Sequence, residues 1–143
     1  MTLKVPVQWA NQAEWNRKAA VAINSVSSDA YIPTLTNTTN IDASTAHECY
    51  WQQIGAIVHV FGRVDIDFTT VGLGSSLGVS LPVASNFTSN YDLAGTVVGL
   101  PSGYTQAAGA LRADTANRRV LLELVAPVNT NTTYMFSFGY RVI

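Results

Sequence analysis

Charge is what this chain has least of. Charged residues make up 12% of it, about half the ~25% of an ordinary soluble domain, and the formal net charge is −1. No basic patch is legible, so nucleic acid is not an expected partner. Cysteine occurs once, at Cys49, which excludes an internal disulfide framework. Flanked by Tyr50 in a strand-like stretch, that cysteine reads as a small buried apolar residue. No apolar run approaches the ~20 residues that span a bilayer, so membrane insertion is not expected. Met1 to Val7 lacks the charged-then-apolar order of a signal peptide. The expectation is a protein made in a cytosol, which leaves only as part of something larger.

Motifs that carry chemistry are equally scarce. Asp65 and Asp67 share a strand face at a separation near the ~5–5.5 Å of retaining glycosidase carboxylates. A general acid also needs surroundings that raise its pKa, and these two lie on the polar side of their strand, beside Arg63. They read as solvated carboxylates. His47 and Cys49 share a strand face, but a zinc site wants three or four ligands at a recognisable spacing, and His59 has no reason to converge on them. The run Gly72 to Gly78 has the wrong spacing for a dinucleotide fingerprint, and no P-loop lysine or nucleophile elbow is present. The expectation is no catalytic residue, no cofactor and no metal.

What fills the chain instead is Thr, Ser and Asn, together about a quarter of it. Three Asn-x-Ser/Thr triplets, at Asn37, Asn86 and Asn131, read as turn and surface residues in so Thr- and Asn-rich a chain. One segment, Trp9 to Val26, is patterned as a helix. Asn11 suits its N-cap, and Glu14 follows three residues on as in a capping box. Trp15, Ala19, Ala22, Ile23 and Val26 fall on one face. A helix this short is marginal alone, so its stripe must pack on a sister chain, a larger assembly or the chain's own β-domain. Trp9 and Trp15 read as parts of that helical anchor. Ser27 to Asp29 reads as a polar joint, which divides the chain into an N-terminal segment (1–28) and a β-domain (29–143).

From Tyr31 onward the pattern is strand. Tyr31–Thr36, with Pro33 at an edge, and Thr45–Ile54 come first. The tight Gly55-Ala56 connection then leads into Ile57–Phe68, where Val58, Val60, Gly62, Val64, Ile66 and Phe68 point one way and the residues between them the other. Gly72 to Gly78 reads as a loop. Val79–Leu81, Leu93–Gly99, Ala107–Ala113 and Arg119–Val125 follow, separated by turn-rich stretches. Thr133–Val142 alternates Tyr134, Phe136, Phe138, Tyr140 and Val142 with smaller or polar residues. It predicts a core-facing strand that carries the chain's end into a sheet. About eight short strands predict an antiparallel β-sandwich, jelly-roll-like, preceded by one short helix. Tyr91 and Tyr104, in or near turns, are the candidates for receptor contact; Trp51 reads as core.

The runs Tyr31-Ile32-Pro33-Thr34-Leu35-Thr36-Asn37, Glu48-Cys49-Tyr50-Trp51-Gln52-Gln53-Ile54-Gly55 and Val58-His59-Val60-Phe61-Gly62-Arg63-Val64-Asp65 resemble a β-domain found at the C-termini of bacteriophage tail-fibre and related virion proteins. Ser80-Leu81-Pro82-Val83-Ala84-Ser85-Asn86-Phe87 and the closing Phe138-Gly139-Tyr140-Arg141-Val142-Ile143 fit the same pattern. Val7 to Trp15 resembles the short helical lead of small phage structural proteins. The resemblance implies a homotrimer that joins the virion by its N-terminal segment and projects the β-domain outward. One departure is the absence of a long shaft between helix and β-domain.

The sequence therefore reads as a non-enzymatic virion structural protein, a short trimeric tail or head fibre. Its partners would be copies of itself, other virion proteins through the N-terminal segment, and a host-surface glycan or protein. A capsid decoration protein is the structural alternative. A polysaccharide depolymerase or a free lectin-like domain is the alternative from another class.

Overall fold

A computed structural model describes residues 12–24, 26–99 and 107–143. One helix, α1 (Gln12–Asn24), precedes ten strands: β1 (Val26–Tyr31), β2 (Leu35–Thr39), β3 (Ile41–Ala46), β4 (Cys49–Ile54), β5 (Ile57–Phe68), β6 (Gly74–Val79), β7 (Leu93–Gly99), β8 (Ala107–Asp114), β9 (Arg119–Val125) and β10 (Thr132–Arg141). The expected antiparallel all-β fold behind a short helix is what forms. Its hydrogen bonding is continuous through one sheet of order β1-β4-β5-β10-β7-β8-β9-β6-β2, with β3 paired to β5. The sheet curls until β2 meets β3, where the Ser44 hydroxyl donates to the Asn37 side-chain oxygen at 2.5 Å. One face of the curl encloses the core, so the rolled sheet forms a barrel whose seam between β2 and β3 is closed by side chains and not by a strand pairing.

β5 and β10 lie side by side along ten registered pairs, from Thr132 opposite Ile66 to Arg141 opposite Ile57. Their alternation does what the sequence implies. Val58, Val60, Val64, Ile66 and Phe68 go inward with Tyr134, Phe136, Phe138 and Tyr140. The Phe68 and Tyr134 rings meet edge to face at 5.7 Å, and Phe136, Phe138 and Tyr140 stack in series. Burying each of these aromatics is worth roughly 2–3 kcal/mol. β10 is therefore a central strand of the core. Leu77, Val97, Leu111, Val120 and Leu122 complete the interior from β6 to β9. Trp51 packs against the core while staying half-buried, as expected of it.

Several boundaries differ from the sequence reading. The helix ends at Asn24, and Val26 is the first residue of β1, where it lies opposite Ile54 and is exposed. Ser27, Ser28 and Asp29 also belong to β1, facing Gln53, Gln52 and Trp51. Pairing with β4 overrides the helical pattern there, a tertiary gain that local preference does not encode. β6 (Gly74–Val79) takes in Gly74 to Gly78, where a loop was expected, and ends at Val79, where a strand to Leu81 was expected. β2 and β9 flank it on both sides and satisfy its backbone. The Arg119 guanidinium crosses Gly78, 2.7 Å from where a Cβ would stand, on its way to Asp114 at 2.9 Å. The open space over Gly78 is filled by that side chain, so this glycine is not a loop signal. The stretch around Pro33 is a break between β1 and β2, and Thr45–Ile54 divides at His47.

Among the described residues no helix is long and apolar enough to cross a membrane. No described side chain of α1 belongs to the core. The Lys18 ammonium meets Glu14 at 3.0 Å one turn along the helix, in the favourable Glu-before-Lys order.

Candidate functional site

The outward face of β5 carries His59, Phe61, Arg63, Asp65 and Asp67. Phe61 lies directly opposite Tyr50 on β4 and Ser137 on β10. Cross-strand neighbours stand close enough for ring contact, and the Tyr50 and Phe61 rings stack with centroids 5.7 Å apart at 30°. Both rings remain open to solvent, at 47% and 57% exposure. The Tyr50 hydroxyl donates to the Glu48 carboxylate at 2.8 Å, and that bond pushes the phenol's pKa up. The ridge is thus fixed at one end by its own polar tip.

A β-bulge shapes the ground beside it. Ala46 faces Val64 and Tyr50 faces Phe61, so four steps on one strand match three on the other. The extra residue breaks the alternation. Cys49 turns into the core, wholly buried, over Gly62, where a Cβ would overlap its sulfur. Burial pushes the Cys49 thiol up. His47 instead reaches Asp65, its Nε2 lying 2.8 Å from one carboxylate oxygen. The Thr133 hydroxyl of β10 donates to the other at 2.6 Å. His47 and Cys49, expected on one face, are separated by the bulge.

A cleft of about 720 Å³ opens beside the ridge, lined by His47, Glu48, Arg63 and Met135 together with Tyr50 and Phe61. On the ridge's other side a second cleft of about 480 Å³ is lined by Ser28, Asp29 and Gln52, again with Tyr50 and Phe61. Half-buried polar groups, two exposed rings and adjoining hollows define the most feature-rich part of the described surface. Sequence reasoning missed it. The alternation that marks Phe61 as outward was legible, but the partner ring and the bulge depend on register.

The hydrogen bond from Thr133, with help from His47 and more distantly Arg63, holds the Asp65 carboxyl below the usual range against the cost of its partial burial. A general acid needs the opposite shift. Asp65 is engaged by Thr133 and His47, whereas Arg63 was the expected neighbour. Among the described residues no group of three or more His, Cys, Asp or Glu side chains could hold a metal ion.

Of the contact residues expected from the sequence, Trp15, Ala19, Val26 and Tyr91 lie with their side chains among the described residues. Trp9 and Tyr104 lie outside the described residues, as do the side chains of Ala22 and Ile23. Trp15 is 42% exposed and Ala19 half-buried on α1. Tyr91 is 94% exposed in a turn that Asp92 closes by accepting from the Thr88 and Ser89 amides at 2.7 and 2.8 Å. Those amides, Ser89 foremost, hold Asp92 low.

No protein-family model matches the sequence, and no curated protein matches it. Among solved structures the fold is similar to that of a reovirus attachment protein, sigma1, determined in complex with alpha-2,3-sialyllactose. The TM-score is 0.51 over 82% of this chain and 67% of that one, at 6% sequence identity. At that identity the likeness is one of fold alone.

Proposed function

We propose that the chain is a virion attachment protein. Residues 1–28 anchor it and assemble it as a homotrimer, and residues 29–143 form the domain displayed toward a host-surface glycan or protein. A short tail or head fibre, as the resemblance to phage fibre domains implies, is the form this reading favours. The observation that carries it is the division of labour between helix and barrel. Among the described residues the core is furnished from strands and the loops between them, and no side chain of residues 12–20 of the helix enters it. Trp15 keeps 42% of its surface exposed, apolar area that a sister chain or another virion protein would cover. The likeness to an attachment protein's β-domain and the exposed aromatic ridge support display of the barrel.

Strand β1 straddles the two segments and leaves the helix at the Ile54–Ile57 end of the barrel. Tyr91 precedes Leu93, which faces Tyr140 at that same end. In a fibre held by its helix, Tyr91 then faces the particle or a sister chain, and receptor contact falls to the barrel's side and far end.

Reconstruction of a particle bearing the protein tests the reading. Three barrels standing off the surface with helices at their base are expected. Barrels lying flat with their sides against capsomers would replace it with the decoration reading.

A further inference from the structure

We infer that the ridge of Tyr50 and Phe61, with the cleft on each side, binds a saccharide chain; the inference rests on the attachment reading above and names its ligand class. A pyranose has an apolar face of C–H groups and a rim of hydroxyls. Stacking the apolar face on an exposed ring removes it from water and leaves the hydroxyls to polar groups alongside. The ridge offers two such rings, stacked at 30° to one another and held by their cross-strand pairing and by the Tyr50–Glu48 bond.

The polar groups alongside are already ordered. Glu48 accepts from Tyr50, and His47 is held by Asp65, which Thr133 fixes in turn. Gln52 and Asp29 border the second cleft. Groups ordered before binding lose little freedom on contact, which is how modest sites reach useful affinity. Both hollows, at about 720 and 480 Å³, fall in the ~300–1,000 Å³ range of small-ligand sites.

A second copy of the chain is the competing occupant, because exposed aromatics and Met135 also suit a subunit contact. The composition of the clefts decides against it. Glu48 and Asp29 line them, with His47, and acidic side chains are depleted at the cores of subunit interfaces. Along the sheet from Phe61 the outward row continues as Ser137, Thr96 and Ala110. These small side chains leave the ridge standing above a low floor, along which a linear saccharide has room to run. Several barrels displayed together would multiply a weak single-site affinity through avidity.

The test uses the full chain, as wild type and as the Phe61→Ala, Tyr50→Ala and Tyr91→Ala variants, on a microarray of neutral and acidic oligosaccharides. Titration of the strongest hit and light scattering of each variant follow. The wild type and Tyr91→Ala are expected to bind alike. Each ridge variant is expected to lose at least about tenfold in affinity, with an unchanged molar mass and a thermal midpoint lowered by only a few degrees. Binding that survives both ridge substitutions would overturn the site and leave the attachment reading standing. A wild type silent on every saccharide would overturn the ligand class. A ridge variant that falls from an assembled state to a single chain would make this face a contact between copies, and would overturn the inference. Failure of the attachment reading shows separately, as barrels that do not project from the particle.

Discussion

Val26 lies directly opposite Ile54, the last residue before the β4–β5 turn. That pairing fixes both where the barrel's first strand begins and the end from which the helix departs. A chain starting at Ser25 keeps all six β1–β4 pairs, and a chain starting at Asp29 keeps three of them. At roughly 0.2–1 kcal/mol for each cross-strand pair, the shorter chain should be less stable by about 1–2 kcal/mol. Thermal unfolding of the two truncations checks this. Equal midpoints would mean that β1 contributes nothing to the barrel.

Asn40 is the second place where one side chain organises a junction. It sits at φ 55° between β2 and β3. Its amide nitrogen donates to the Thr70 carbonyl and the Ser75 hydroxyl at 2.8 and 2.9 Å, and its oxygen accepts from the Thr70 amide at 2.9 Å. Asn40→Ala removes all three bonds and adds left-handed strain, for an expected loss of about 3 kcal/mol. Asn40→Gly removes the same bonds without the strain, and should cost about 1 kcal/mol less. Denaturant unfolding of both variants measures the difference.

Three aspartates make the fold acid-sensitive. Asp65 is held low by Thr133 first and then His47, and Asp92 by the Ser89 and Thr88 amides. Asp114 is held low by Asn117 and Arg119 against the opposing cost of its burial. A carboxyl whose folded pKa is depressed contributes stability that is present above its unfolded value, about 4, and is lost as pH falls through the folded one. Thr133→Val should raise the Asp65 titration midpoint in NMR and cost about 1 kcal/mol at pH 7. At a pH below both midpoints the difference should vanish. A penalty that persists in acid would assign Thr133 a packing role instead.

The Tyr134 hydroxyl is wholly buried and has no hydrogen-bond partner among the described residues. Burial pushes its pKa up to about 12. An unpaired buried hydroxyl costs more than it returns, so Tyr134→Phe should be neutral or stabilising by up to about 1 kcal/mol. Chemical denaturation checks the sign. A loss of similar size would reveal a partner for that hydroxyl.

Legibility in the sequence followed the range of the interactions. β5, β7 and β9 could be read to within a residue, because alternation of side chains is local and their neighbours agree with it. β6 was hidden by composition, since Gly74, Ser75, Ser76 and Gly78 look like a loop until the flanking strands and the crossing Arg119 are in place. β1 was hidden by a helical pattern that continues into Val26, and pairing with β4 wins there. The ridge was half legible. Phe61 pointed outward by count, but its contact with Tyr50 depends on register, and His47 meets Asp65 only because a bulge inserts one residue. The turn residues around Tyr91 and Tyr104 are a sequence signal for exposure, and it carries no information on which way an end of the barrel faces.

The central claim is that the helix assembles and the barrel is displayed. Light scattering of the full chain and of a chain starting at Ser25, which keeps β1 whole, tests it most directly. The expected result is a full-length trimer of about 46 kDa, three times the 15.3 kDa chain, that falls to single chains when the helix is removed. A full-length chain that stays monomeric across a wide concentration range would contradict it.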